Sequence, residues 1–193
     1  MIALDLDNTI ICYDEAFRSA ASLLACVPAF GIAINKSTIK AAALAKGGND
    51  LWTRLQGLVD GEQIGMATIY PGCADFVAAS REAIVILSHK TQFPVLGSRS
   101  DLRKAATTWL ESTPLTNLPL HFFDTREAKV AAIAALSPRA IIDDLPEVFL
   151  TPGFPSSTSF FLFDPVQAHA DWSLTPRVIS WSNAVEQILT PRK

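Results

Sequence analysis

LDLDNT, at residues 4–9, is the most informative stretch of the chain. The apolar run Ile2–Leu6 ends here, and two carboxylates, Asp5 and Asp7, lie two residues apart at its end. A short apolar run bounded by polar turn residues is typical of a buried strand, and open parallel sheets bind ligands outside the carboxyl ends of their strands. We therefore predict that one carboxylate attacks a ligand while the other transfers a proton. The alternative is a strand that simply ends in an Asx turn.

Further apolar runs alternate with helical patterns along the rest of the chain. This alternation predicts an α/β fold whose core is a three-layer, Rossmann-like parallel sheet with helices on both faces. The later strands are predicted at residues 83–87, 120–123, 140–142 and 160–163. The core helices are predicted at residues 101–111, with Ser100 as N-cap, at 126–136, with Asp124 and Glu127 as a capping box, and at 183–189.

The interval between the first two predicted strands is longer than the roughly dozen residues that a crossover helix needs. Its pattern predicts three helices, at residues 13–27, 37–46 and 50–59, with Gly47-Gly48 stopping the second. Tyr70-Pro71-Gly72 marks the return to the sheet. We therefore predict a catalytic core of residues 1–13 and 69–193, with a small helical cap of residues 14–68 inserted after the first strand.

Composition excludes several classes of protein. The chain has 193 residues, enough for one sizeable core, and its net charge of -3 gives no footprint for nucleic acid or for an anionic membrane. Cys12, Cys26 and Cys73 have neither a disulfide pattern nor metal-ligand spacing, which favours a reducing cytoplasm. The first residues do not resemble a signal peptide, and no apolar run reaches the length of a membrane span. A soluble, cytoplasmic protein is expected, while its oligomeric state is left open.

Polar residues also end the later predicted strands. Ser88 follows the second strand, where its hydroxyl can donate to a phosphate oxygen. The adjacent acids Asp143 and Asp144 follow the fourth strand and repel each other, so a bound cation would explain their pairing. Lys129, on the helix that leads into that strand, is favoured over Lys104 as the cation that neutralises a nucleophile and a phosphate. The ordinary alternatives are a strand-ending serine, a helix N-cap and solvated lysines.

In this order, the motifs resemble those of the haloacid-dehalogenase-like (HAD) superfamily. LDLDNT is similar to its first motif, LSHKT at residues 87–91 to its second, Lys129 to its third, and IIDDLPEV at residues 141–148 to its fourth. The resemblance implies a magnesium-dependent phosphomonoester hydrolase that acts on a small phosphorylated metabolite. Asp5 would be the nucleophile that becomes phosphorylated, and Asp7 would be the general acid and base.

The resemblance also implies a Mg²⁺ site. Asp5, the backbone carbonyl of Asp7 and Asp144 would be its ligands, while Asp143 would support them from outside the metal's own shell. Glu147 is a weaker outer candidate.

The same resemblance implies a phosphate site and possible contacts to the rest of the substrate. Asn8 and the backbone N–H groups of its turn would bind phosphate together with Ser88 and Lys129. His89 and Lys90, which follow Ser88, are possible substrate contacts, as is Arg54 in the predicted cap.

Two alternatives to the hydrolase remain open at this point. Dehalogenases and phosphonate-cleaving relatives generally lack an acid at the position of Asp7. Phosphomutases keep one there, so isomerisation of a sugar phosphate is the first alternative. A binding or assembly module that has kept the fold without turnover is the second.

Overall fold

The protein was analysed as a computed structural model, which describes residues 1–97 and 99–190. In these residues the strands are β1 (Ile2–Leu4), β2 (Ile11–Cys12), β3 (Thr68–Ile69), β4 (Ile84–His89), β5 (Leu120–Phe123), β6 (Ala140–Asp143), β7 (Ser159–Phe163) and β8 (Arg177–Val178). The helices are α1 (Asp14–Leu23), α2 (Lys36–Asp60), α3 (Cys73–Ala79), α4 (Leu102–Glu111), α5 (Arg126–Leu136), α6 (Pro146–Leu150) and α7 (Trp181–Ala184). A 3₁₀ turn covers Ile64–Met66, and a π-helical turn, Val185–Leu189, continues α7.

A six-stranded sheet in the order β5-β4-β1-β6-β7-β8 confirms the predicted α/β class. Its paired strands are all parallel, and in the centre Leu4 lies between Ile86 on β4 and Ile142 on β6. Every residue of β1 is buried, as expected for a central strand of a parallel sheet that is covered on both faces. This order brings the carboxyl ends of β1, β4 and β6 to one edge of the sheet.

Different side chains cover the two faces of the sheet. On one face, Val130 and Ile133 of α5 and Val148 of α6 pack against inward residues of the strands, including Ile141 and Phe160. A second, aromatic group joins Phe76 of α3 and Trp181 of α7 to Phe163 of β7, with ring centroids 5.0 and 5.4 Å apart. The indole of Trp181 also donates a hydrogen bond to the carbonyl of Thr9, which fixes the turn after β1.

The chain divides into two compact units. The first contains Met1–Ile11, Ile69–Lys90 and the chain from Pro114 onward, and the second contains Cys12–Thr68 and Thr91–Thr113. The second unit therefore includes α4 as well as the helices of the predicted cap. The functional division into a catalytic core and a cap stays a prediction.

Within the second unit, α1 and α2 pack through a stacked aromatic pair. Phe17 lies parallel to Trp52, with ring centroids 5.8 Å apart, and Ile39 and Leu55 are buried along α2. Trp109 of α4 donates through its indole to the carbonyl of Ala67 at 3.0 Å. Phe17, Trp52 and Trp109 therefore act as packing groups within this unit.

Several predicted boundaries need correction. The N-cap of α4 is Asp101, which accepts from the N–H of Lys104, and Ser100 was the wrong choice. The N-cap of α5 is Thr125, so the predicted Asp124–Glu127 capping box is wrong by one position. In both cases two adjacent residues had suitable side chains, and composition did not distinguish them.

The glycine break predicted between two cap helices is present as a kink. Residues 36–60 form one helical span, α2, whose backbone leaves helical geometry at Gly47 and, with φ of 64°, at Gly48. The last helix begins at Trp181 instead of Asn183, because Ser180 caps it. No described helix has both the length and the apolar character that a membrane span requires.

Candidate active site

The turn after β1 places two carboxylates at the central edge of the sheet. Asp5 continues the strand, and its N–H donates to the carbonyl of Ile142 at 2.9 Å. The carbonyl of Leu6 then accepts from the N–H groups of both Ile10 and Ile11, which closes a tight loop around Asp7. Asn8 has a φ of 57°, a left-handed conformation that asparagine tolerates better than most residues.

Lys129 joins the ends of two strands. Its ammonium lies 2.5 Å from Asp5 Oδ1 and 2.6 Å from Asp143 Oδ2, and only 1% of its side chain is exposed. Burial disfavours its charged form, but the attraction of Asp143 and then of Asp5 outweighs burial and raises the pKa of Lys129. The contact with Asp5 brings together the residues predicted as nucleophile and as its compensating cation.

Asp5 lies in an environment that disfavours its negative charge. Burial raises the pKa of Asp5, the attraction of Lys129 opposes it, and the nearby carboxylates of Asp143 and Asp7 reinforce it, with the result that this pKa is about 7. One lysine therefore does not offset the cost of burying this group of acids. Additional positive charge at the site would stabilise the Asp5 carboxylate.

Three of the acids are close enough together to hold a metal ion. Asp5, Asp143 and Asp144 each offer a carboxylate oxygen, and these oxygens lie within 4.8 Å of one another. Asp143 already accepts from Lys129 through Oδ2 and from the N–H of Leu145 through Oδ1. Asp144 is half-buried, and oxygen ligands of this kind suit a hard divalent cation.

Residues at the end of β4, which lies on the opposite side of β1 from β6, contact Asp7. Ser88, which is fully buried, donates to Asp7 Oδ2 at 3.3 Å, and the ammonium of Lys90 lies 3.0 Å from Asp7 Oδ1. Side chains alternate along a strand, so Ser88 and Lys90 share one side while His89 points to the other. The ring of His89 accordingly contacts the backbone carbonyl of Asp124, with Nε2 at 3.2 Å.

Among the described residues named at this site, carboxylates outnumber ammonium groups. Asp5, Asp7, Asp143 and Asp144 supply four carboxylates, whereas Lys90 and Lys129 supply two ammonium groups. With every group ionised, two negative charges are in excess. A divalent cation would neutralise them, so the donor set and the charge both fit the predicted metal.

Two other predicted residues occupy exposed positions. Glu147 lies in the first turn of α6, and Arg54 lies on α2 in the second unit. Their suggested roles stay predictions, as do those of the other predicted site residues.

Two features of the site were not predicted from the sequence. The first is the pairing of Lys90 with Asp7, although the two-residue spacing from Ser88 was a usable signal. The second is Asp164, a buried acid directly after β7, which accepts from the N–H groups of Ala168 and His169 and lies 3.5 Å from Arg177. Asp164 thereby fixes the loop that follows the neighbouring strand.

Comparison with known proteins gives matches of structure but not of sequence. No family model matches the chain, and no curated protein matches it. A HAD-superfamily hydrolase of subfamily IA from Geobacter sulfurreducens is similar in structure, with a TM-score of 0.58, 9% identity, and coverage of 96% of this chain and 94% of that one. A conserved haloacid-dehalogenase-like protein of unknown function from Agrobacterium tumefaciens has a TM-score of 0.60 at 12% identity, with 97% and 96% covered.

A third similar structure carries ligands. It is a HAD family hydrolase from Deinococcus radiodurans with bound phosphate and sodium, and it matches with a TM-score of 0.55 at 14% identity over 97% of this chain and 93% of that one. Together these matches confirm the expected fold: the chain has the α/β fold of the HAD-superfamily hydrolases. At such low identity, the likeness concerns the fold.

Proposed function

We propose that the protein is a magnesium-dependent phosphomonoester hydrolase that acts on a small phosphorylated metabolite through an aspartyl-phosphate intermediate. The observation that carries the proposal is the buried contact of Lys129 with both Asp5 and Asp143, beside Asp7. A nucleophilic carboxylate, a cation to hold it and a second carboxylate for proton transfer are the groups that such a reaction needs.

The reaction divides between the two aspartates of the first motif. In the first half, an oxygen of Asp5 attacks phosphorus, the bond from phosphorus to the leaving oxygen breaks, and Asp7 gives that oxygen a proton. In the second half, Asp7 takes a proton from water as the water attacks phosphorus, and the bond between phosphorus and Asp5 breaks. Inorganic phosphate leaves, and both carboxylates return to their starting state.

The surrounding groups favour an anionic substrate. Lys129 holds the nucleophile in place, and backbone N–H groups of the turn at Asn8, together with the hydroxyl of Ser88 once it is released from Asp7, would bind phosphate oxygens. Magnesium, held by Asp5, Asp144 and the carbonyl of Asp7, would supply charge compensation for the phosphoryl group. The phosphate bound to the Deinococcus protein of the same fold supports this choice of ligand.

The choice of a small metabolite rests on the resemblance to the HAD superfamily. There, a helical cap inserted after the first motif restricts the site to small molecules. The kinked helix α2 and its neighbour α1 occupy the corresponding part of this chain.

Phosphate release from a panel of phosphorylated metabolites, with Mg²⁺ and then with chelator, tests the proposal. We expect release that chelator abolishes and that added Mg²⁺ restores. Asp5→Asn should lower turnover by on the order of 10³-fold or more, because it removes the nucleophile. Asp171→Asn, a change of the same kind at an exposed residue, is the matched control and should leave turnover unchanged. Full activity in Asp5→Asn, or after exhaustive chelation, contradicts the proposal.

A further inference from the structure

The side chain of Lys90 is almost completely buried against one oxygen of Asp7. Only 4% of the Lys90 side chain is exposed, whereas Asp7 keeps 23% of its side chain exposed. The second oxygen of Asp7 accepts from Ser88. A buried ammonium is costly unless it is paired, and the contact with Asp7 offsets part of that cost for Lys90.

The register between β1 and β4 explains why Lys90 contacts Asp7. Leu4 on β1 lies opposite Ile86 on β4, so the residues after Ile86 run alongside the turn that carries Asp7. Ser88 and Lys90 then project to the same side, one to each oxygen of the carboxylate. Two donors on two oxygens restrict the rotation of the Asp7 side chain.

We propose that Lys90 is a positioning residue that holds the Asp7 carboxylate for the second half of the reaction. This inference rests on the proposed function. By contacting both oxygens, Ser88 and Lys90 fix the orientation in which the Asp7 carboxylate can take a proton from the attacking water. Because Asp7 stays partly exposed, its carboxylate remains accessible to that water.

Two other roles for Lys90 predict different kinetics. If Lys90 bound the substrate phosphate, its loss would slow the formation of the phosphoenzyme and raise KM. If Lys90 only stabilised the fold, its loss would lower the fraction of active protein and leave KM unchanged. A role through Asp7 instead slows the hydrolysis of the phosphoenzyme and leaves its formation intact.

Lys90→Met, which keeps the length of the side chain and removes its charge, separates these roles. The substrate is 4-nitrophenyl phosphate, whose leaving group needs no proton, and rapid quench measures both steps on the Mg²⁺-loaded protein. We expect formation of the phosphoenzyme within about threefold of wild type and hydrolysis slowed about tenfold or more. As a consequence, kcat and KM should fall together. Normal hydrolysis, or a raised KM with slow formation, overturns the proposal.

Two further variants test whether the effect is specific to Lys90 and whether it depends on Asp7. Lys104→Met changes an exposed lysine on α4 and should alter neither step. In an Asp7→Asn background, Lys90→Met should have no additional effect on hydrolysis, since the group that it positions is already inactive. An equal additional loss in that background would show that Lys90 acts independently of Asp7.

A measurement without turnover tests the positioning directly. Crystal structures of wild type and Lys90→Met should show the Asp7 carboxylate in one orientation in the former and turned away from Ser88, or in two orientations, in the latter. An unchanged Asp7 overturns the proposal for Lys90 alone. Failure of wild type to form any phosphoenzyme with Mg²⁺ overturns the proposed function as well, so the two failures are distinguishable.

Discussion

The two buried lysines of the site pair with carboxylates that are exposed to different degrees. Lys129 approaches from helix α5 and contacts two acids, of which Asp143 is 0% exposed. Lys90 approaches from the end of β4 and contacts Asp7, which stays partly exposed. The difference matches the proposed chemistry, because a nucleophile must stay fixed whereas an acid and base must reach a leaving oxygen and then a water molecule.

The largest effect should come from removing the charge of Lys129. Lys129→Met leaves Asp5 and Asp143 buried without their cation, which should lower the free energy of unfolding by about 3–5 kcal/mol. The hydrophobic replacement of Lys90 should cost less, because Asp7 can be solvated. Urea unfolding followed by tryptophan fluorescence, in chelator so that no cation compensates, measures both variants.

Turnover should also fall more in Lys129→Met than in Lys90→Met. Lys129→Met should also lower kcat/KM by on the order of 10²-fold or more, since a charge that faces the nucleophile is lost. Lys104→Met is again the control and should change neither stability nor rate. If Lys129→Met proved no less stable than Lys90→Met, the fully buried contacts of Lys129 and the partly exposed contact of Lys90 with Asp7 would not differ in stability as expected.

Asp143 and Asp144 should differ in their effects on stability and on the metal requirement. Asp143→Asn removes the charge that faces Lys129, so it should destabilise the fold, whereas Asp144→Asn changes a half-buried group and should destabilise it less. The requirement for Mg²⁺ should show the opposite order. Asp144→Asn should raise the half-saturating concentration of Mg²⁺ by about tenfold or more, and Asp143→Asn by less. Titration of activity with Mg²⁺ measures this, and the reverse order would make Asp143 the direct ligand.

The sequence predicted the central strands of the sheet well because each of them has a strong local signature. The apolar runs ending near Asp5, Ser88 and Asp143 all became neighbouring strands, and parallel strands carry their ligand sites at the carboxyl edge. Lys129 was also predicted on its helix. What made this possible is that burial on both faces requires nearly continuous apolar residues.

Other features depend on contacts that the sequence does not encode locally. Two-residue strands such as β8 have too few residues for a pattern, and they form because a neighbouring strand offers an edge. Lys90 was predicted to touch substrate, and its contact with Asp7 depends on the register between β4 and β1. The choice of Thr125 over Asp124 as an N-cap likewise depends on where the helix meets the sheet.

The smallest predicted effect concerns an ion pair outside the site, which contrasts with both buried lysines. Glu82, just before β4, accepts from Arg139, just before β6, and also from the amino group of Met1. Hydrogen bonds from Arg139 and from that amino group lower the pKa of Glu82 from 4.5 to about 2. Its side chain is 32% exposed, so solvent screens the pair, and its contribution should be at most about 1 kcal/mol.

The lowered pKa of Glu82 predicts how its contribution to stability depends on pH. The folded-state pKa of Glu82 is depressed, so the stabilisation is complete above the unfolded value of 4.5 and is lost as pH falls toward about 2. The difference in unfolding free energy between wild type and Glu82→Gln should therefore be largest near pH 6 and shrink by pH 3. Urea unfolding at both pH values measures it. Turnover at neutral pH should be unchanged, because Glu82 and Arg139 precede their strands and the site lies where those strands end. A difference that stayed constant between the two pH values would mean that Glu82 stabilises the fold by packing and not through its charge.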